Sequence, residues 1–179
     1  MKVNYIRIDT QSTDFDKEFS KYEKGISYIL QSSYEDFYGF DYHKQRMIEG
    51  KSIIYLAFVN EILIGVSYVK KNKRRAVTAV FPEEYRGQGV AKFLVKLSLK
   101  DFPQQYSIIS TNLNHSYIMI SILQKIGFKK VETEEQIKMI VGEEYGLLEN
   151  FRKENGYLLF DRKSNRRNNK RELLTLLYI

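Results

Sequence analysis

Residues 81–91 read FPEEYRGQGVA, and no other stretch limits the fold as tightly. The chain of 179 residues has ten glycines and two prolines, and three of those twelve fall in these eleven positions. Pro82 closes an apolar run, Gly87 and Gly89 bracket Gln88, and a helical pattern starts directly afterwards. A strand therefore delivers the chain to a glycine-rich loop that opens a helix. The first N–H groups of a helix lack intrahelical partners, and the macrodipole adds partial positive charge there. Glycines let several N–H groups converge with no Cβ in the way. The expectation is a site for a phosphate or diphosphate. The alternative is an ordinary strand–turn–helix connection, since Gly and Pro are common in turns.

Two other phosphate loops do not fit. A P-loop needs GxxxxGK[ST], which is absent, and a dinucleotide-binding GxGxxG needs glycine where position 92 is Lys. The strands before the loop also read as an antiparallel meander rather than a βαβ unit. SIIYLAFV (52–59) and ILIGVSYVK (62–70) flank the turn pair Asn60-Glu61, and RAVTAVF (75–81) follows. Asn tolerates the positive φ that such a two-residue turn requires.

The other elements follow from periodicity. Residues 3–9 alternate like a half-buried strand. In 13–24, Phe15, Phe19 and Tyr22 fall on one helix face, and Gly25 is expected to close the segment. Helices are expected over 26–37 and 42–49, the latter capped by Gly50. Beyond the loop come a helix at 90–102, a strand at 106–111, a buried helix at 116–126 closed by Gly127, and strands at 128–133 and 156–163. Residues 134–150 and 172–179 fit more than one element. The fold class is α+β, with a mostly antiparallel central sheet flanked by helices. One domain is expected over 1–163, with a basic C-terminal extension over 164–179.

Composition removes several chemistries. There is no cysteine, which excludes disulfides, thiolate metal sites and Cys nucleophiles and fits a reducing cytoplasm. His43 and His115 are the only histidines, so no metal is expected. No apolar run has signal-peptide or membrane-spanning length. The protein is therefore expected to be cytoplasmic, without a membrane partner. The net charge of +7 is concentrated in two runs, which carry +10 between them and leave the rest at −3. One run contains Lys70, Lys71, Lys73, Arg74 and Arg75; the other contains Arg162, Lys163, Arg166, Arg167, Lys170 and Arg171. Either they bind something anionic, such as RNA, DNA or an acidic protein, or they are a solvated hairpin tip and tail.

Arg86-Gly87-Gln88-Gly89-Val90-Ala91 fits every position of [Q/R]-x-x-G-x-[G/A], and Leu123-Gln124-Lys125-Ile126-Gly127-Phe128 looks like a helix ending in K-[LI]-G-F. In these two hallmarks, and in the order of elements from about 3 to 163, the chain resembles the GNAT N-acetyltransferase superfamily. Val80 and Pro82 also resemble the approach to its loop, with one more residue between Pro82 and Arg86 than in the short form. The resemblance implies a GNAT-like fold and acetyl-coenzyme A as cofactor, with the diphosphate on the N–H groups of Arg86, Gly87, Gln88, Gly89, Val90 and Ala91. It further implies that the pantetheine arm pairs with the backbone of Val80 and Phe81, where strand 77–81 splays from strand 106–111. The implied reaction is acetyl transfer to an amine, on a small molecule, a protein or an aminoacyl-tRNA.

The resemblance breaks at the catalytic acid. Where the family often has a Tyr, four residues before the Gly of G-F, this chain has Leu123, and Ser116 stands where an Asn is usual. Tyr117 and Tyr68 are candidate acids, and Glu84, with Glu83 beside it, is a candidate base. His115 is a weaker candidate. Each also has a plain structural reading, as a packed ring or an exposed turn charge. Two alternatives stand beside the enzyme. One is an altered GNAT-fold module that binds coenzyme A or an anionic partner without acetyl transfer; the other is an unrelated α+β protein. The family's acceptor pocket is usually shaped by the N-terminal helices, and Tyr28, Tyr34, Phe37, Tyr38, Phe40 and Tyr42 suggest a partly apolar wall there.

Overall fold

The computed structural model describes residues 1–34, 39–70, 75–100, 108–112, 117–131, 135 and 157–161. The expectations for 134 and 136–150, for 172–179, for both basic runs beyond Lys70 and Arg75, for Phe37, Tyr38 and His115, and for the boundary at 163 lie outside them. The chain forms two compact units, Met1–Pro103 and Gln104–Ile179.

The first unit contains β1 (Asn4–Asp9), α1 (Phe15–Ser20), α2 (Glu23–Ser33), α3 (Phe40–Glu49), β2 (Ile53–Val59), β3 (Ile62–Lys70), β4 (Arg75–Val80) and α4 (Val90–Lys100). Its strands pair antiparallel in sequence order, β1 with β2, β2 with β3 and β3 with β4. The β2–β3 turn has positive φ at both Asn60 (47°) and Glu61 (68°), as a two-residue hairpin turn with the right twist requires.

All seven residues of β2 are buried, because this central strand is covered on both faces. Ile54, Leu56 and Phe58 face one cluster with Phe15, Phe19, Ile26, Ile29, Leu30 and Met47 of α1–α3. Ile53, Tyr55, Ala57 and Val59 face the other, with Val90 and Leu94 of α4. Strand alternation thus divides one apolar run between two cores.

One residue breaks the alternation usefully. The β2–β3 register shifts by one between Ala57 and Phe58, which makes Ile64 an extra residue on β3 beside Gly65. A Cβ on Gly65 would lie 2.9 Å from Leu94 Cδ1 and 3.3 Å from the Ala79 carbonyl oxygen. The bulge glycine lets α4 sit close on the sheet.

Two helices differ from the sequence expectation: the one expected over 26–37 is α2, which starts at Glu23 and ends at Ser33, with Tyr34 extended as its C-cap. The segment expected over 13–24 breaks at Lys21–Tyr22, and Gly25 lies inside α2 instead of closing α1. The reason is packing: a Cβ at Gly25 would stand 2.9 Å from Leu63 Cδ2, so this glycine lets α2 approach β3. Tyr22 still reaches the core and meets Phe58 edge-on at 5.5 Å between centroids. Gly50 caps α3 as expected, in an ordinary right-handed conformation, and the left-handed residue is Lys51, φ 48°.

The second unit contains β5 (Ile108–Asn112), α5 (Tyr117–Lys125), β6 (Lys129–Val131) and β7 (Tyr157–Asp161). β7 pairs antiparallel with both β5 and β6. α5 ends as Gly127 demands. The Phe128 N–H bonds the Leu123 carbonyl (2.9 Å) and the Gly127 N–H bonds the Gln124 carbonyl (3.0 Å). With Gly127 at φ 98°, this is a Schellman cap.

Candidate active site

The Phe81 N–H donates to the Ile64 carbonyl at 3.0 Å. In an antiparallel ladder such pairs alternate, so Thr78 and Val80 turn their backbone groups away from β3. Both carbonyls meet a side chain. Tyr34 Oη donates to the Thr78 carbonyl (3.0 Å), and Arg86 Nε donates to the Val80 carbonyl (3.1 Å).

After Pro82 the chain makes a single 3-10 turn, Glu83–Tyr85. The Arg86 N–H closes it on the Glu83 carbonyl at 2.8 Å, and the Arg86 guanidinium holds Glu83 Oε1 at 2.6 Å. Gln88 Nε2 folds back to the Glu84 carbonyl at 2.8 Å. Gly87 (φ 75°) and Gly89 (φ 84°) are left-handed, a conformation that glycine adopts without the Cβ penalty. A Cβ built on either meets nothing within 4 Å, so the space before the loop is open.

α4 starts as soon as the loop ends, with the Phe93 N–H on the Gly89 carbonyl at 3.0 Å. Val90 is buried and pins the first turn to the core. From Gly87 to Lys92, the backbone N–H groups find no acceptor among the described residues. Six consecutive donors without a partner among the described residues lie at the positive end of α4, with open space beside Gly87 and Gly89, which suits an extended polyanion such as a diphosphate. A coenzyme A diphosphate fits this chemistry.

The other proposed contacts divide. Of the atoms at the end of β4, the Phe81 N–H and the Val80 carbonyl are already engaged within the protein. Val80 packs into the core on the α4 side, and Phe81 packs against the opposite core. Ala91 is half-buried against the α4-side core.

The catalytic candidates fall in unlike settings. Tyr68 is fully buried in the core shared with α1–α3. Glu84 is exposed on the turn, and Glu83 is paired with Arg86. Tyr117 opens α5 and is 78% exposed, whereas Leu123 on the same helix is fully buried. Leu123 is thus a core residue, and its side chain carries no proton to give.

The aromatic wall expected from the N-terminal helices also divides. Phe40 stacks on Phe19 and joins the core, and Tyr42 lies under Arg46, 5.0 Å from the guanidinium carbon. Tyr28, 59% exposed, meets Phe81 edge-on at 5.4 Å. Tyr34 ends α2 as its C-cap in an extended conformation, which lets its ring leave the helix toward β4. Tyr34 keeps part of its surface exposed, but burial of its hydroxyl end pushes its pKa up to about 12. It stays a neutral donor at any working pH. Tyr28 and Tyr34 therefore flank β4 on the side of α2.

A hydrogen-bond chain that no motif announces runs through the same strand. Ser98 Oγ of α4 donates to Ser67 Oγ of β3 at 3.0 Å, and Ser67 Oγ lies 2.7 Å from Thr78 Oγ1 of β4. Thr78 is held by its side chain toward α4 and by its carbonyl toward α2. Scattered serines give no spacing signal, so only the fold reveals this link.

A family model for the acetyltransferase (GNAT) domain matches residues 20–143. The chain belongs to the GNAT acetyltransferase family. The match spans the β2–β4 meander, the glycine loop, α4 and α5. Solved structures agree with this GNAT fold. Ard1 from Thermoplasma volcanium aligns at TM-score 0.57 and 14% identity, over 89% of this chain and 96% of that one. The ribosomal-protein-S18-alanine N-acetyltransferase from Escherichia coli aligns at TM-score 0.52 and 10% identity, over 88% and 90%. YncA from Salmonella typhimurium, solved with its cofactor acetyl-CoA, aligns at TM-score 0.54 and 10% identity, over 74% and 82%. At these identities the likeness is one of fold. No curated protein matches the chain in sequence. Among the described residues of this GNAT chain, no helix is long and apolar enough to cross a membrane.

Proposed function

We propose that this GNAT domain transfers an acetyl group from acetyl-coenzyme A to an amine acceptor. The observation that carries the reading is the run of backbone N–H groups from Gly87 to Lys92 at the start of α4 that have no acceptor among the described residues, with open space beside Gly87 and Gly89. Acetyl-coenzyme A, when bound, supplies an acetyl group activated as a thioester. The chain's part is to hold the diphosphate on those N–H groups and to orient the rest of the donor along the end of β4, at Val80 and Phe81.

The acceptor amine must lose a proton before it attacks. Glu84 is the free carboxylate of the turn and the base candidate, since Glu83 already holds Arg86. Tyr117 is the acid candidate by exposure, while Tyr68 is withdrawn by burial. Tyr28 and Tyr34 give the acceptor side an apolar surface with one fixed hydroxyl. An acceptor whose amine adjoins an apolar group suits it.

The test is calorimetric titration of acetyl-coenzyme A into nucleic-acid-free protein, beside a Gly89→Trp variant that fills the space before the loop. Binding by the parent and not by the variant is expected, followed by release of free coenzyme A with at least one member of a broad amine panel. No binding by the parent would refute the reading. Binding without turnover would replace the enzyme with a coenzyme A-binding module, the alternative that a leucine at position 123, where the family often has Tyr, motivates.

A further inference from the structure

The segment Arg86–Gly89 has two polar side chains, and both fold back onto the residues before it. Arg86 reaches back to the last residue of β4 and sideways to the first residue of the 3-10 turn. Gln88 reaches back to the second residue of that turn. An arginine beside a diphosphate site invites the reading that its charge binds phosphate. The geometry points elsewhere. We infer that Arg86 is a positioning residue: its guanidinium ties the Val80 carbonyl to the Glu83 carboxylate and thereby sets the direction in which the loop N–H groups converge. This rests on the coenzyme A reading above and deepens it.

Three observations support the assignment. The guanidinium uses two separate edges, Nε at 3.1 Å to a carbonyl and a terminal nitrogen at 2.6 Å to a carboxylate, a planar fork that lysine cannot copy. The side chains of Arg86 and Glu83 are 40% and 77% exposed, so their attraction in water is weak and the value of the pair lies in its geometry. Both ends of the fork lie on backbone that leads directly into the loop. The anion site that results is a backbone site, held in shape by side chains.

The two roles for Arg86 predict opposite signs at Glu83. If Arg86 bound phosphate, Glu83 would compete for it, and Glu83→Ala would tighten binding. As a brace, Arg86 needs Glu83, and the same substitution loosens the loop. We expect Glu83→Ala and Arg86→Lys each to weaken coenzyme A binding about three- to tenfold by calorimetry. The double variant should be no weaker than the worse single one, because either change breaks the same fork. Thermal midpoints of the ligand-free proteins should stay close to the parent's, since neither side chain is in the core. Tighter binding by Glu83→Ala, parent-like binding by Arg86→Lys, or additive losses would overturn the inference. A parent that binds no coenzyme A would instead defeat the proposed function, and this inference with it, so the two failures are distinguishable.

Discussion

The hydroxyl of Tyr34 donates to the carbonyl of Thr78 over 3.0 Å, across 44 residues of sequence. That bond joins the end of α2 to the strand that leads into the cofactor loop. Thr78 Oγ1 carries the link onward, through Ser67, to Ser98 of α4. The helix on each face of the sheet is thus tied to the same residue of β4, two positions before Val80.

Removal of this donor gives the first prediction. Tyr34→Phe leaves the Thr78 carbonyl without its partner and should cost about 1 kcal/mol in denaturant unfolding. The pH dependence follows from the raised pKa. The folded state holds the Tyr34 proton up to about pH 12, while the unfolded chain releases it near about pH 10. Stability from this group is therefore complete below pH ~10 and is lost as pH rises from ~10 toward ~12, by at most about 2–3 kcal/mol. The parent's stability should fall more steeply across that window than the Phe variant's. Parallel curves would contradict the enclosed hydroxyl.

Gly89 tests the loop without a steric clash. Its φ of 84° disfavours any side chain, yet a Cβ there meets nothing within 4 Å. Gly89→Ala should cost about 1–2 kcal/mol through backbone conformation alone, and coenzyme A affinity should drop with it. Calorimetry and thermal unfolding check the two effects together. An alanine variant that binds like the parent would mean that the loop does not need the left-handed turn.

Gly65 tests the packing that places α4. A Cβ would press on Leu94 Cδ1 at 2.9 Å and on the Ala79 carbonyl oxygen at 3.3 Å. Gly65→Ala should destabilise the domain by about 1–3 kcal/mol. Leu94→Ala in the same chain should make the pair less costly than the sum of the single changes, because it removes the first clash. Strict additivity in thermal or denaturant unfolding would count against this contact.

Leu123 tests whether the missing acid can be restored. The residue is fully buried, and its carbonyl accepts the Phe128 N–H that caps α5. Leu123→Tyr should overpack the core and cost about 1–3 kcal/mol. No gain in turnover is expected, since the fully buried site holds a leucine and a ring that overpacks it disturbs α5. A faster enzyme would show that this position reaches the chemistry after all.

The apolar periods placed the elements because burial imposes a period that a sequence can carry. Phe15 and Phe19 mark a core face whether the helix runs on or breaks after Ser20. The two positive φ angles at Asn60 and Glu61 fit the two-residue spacing between apolar runs. Gly127 read correctly as a cap because the end of an α-helix often demands a left-handed residue. Gly25 did not, because a glycine kept for close approach leaves the same letter as a glycine kept for a turn. The distinction lies in Leu63, which sequence places 38 positions away.

By itself the sequence determined the antiparallel meander, the glycine loop at the head of α4 and the family, since each rests on neighbours in the chain. The tertiary structure decided which polar groups of that loop remain available. Arg86 and Gln88 are engaged by the turn, Glu83 is engaged by Arg86, and the N–H groups from Gly87 to Lys92 are left without an acceptor among the described residues. It also joined Tyr34 to Thr78 and buried Tyr68 and Leu123. Hydrogen bonds between distant segments, and burial by distant segments, have no period along the chain, so only the folded arrangement fixes them.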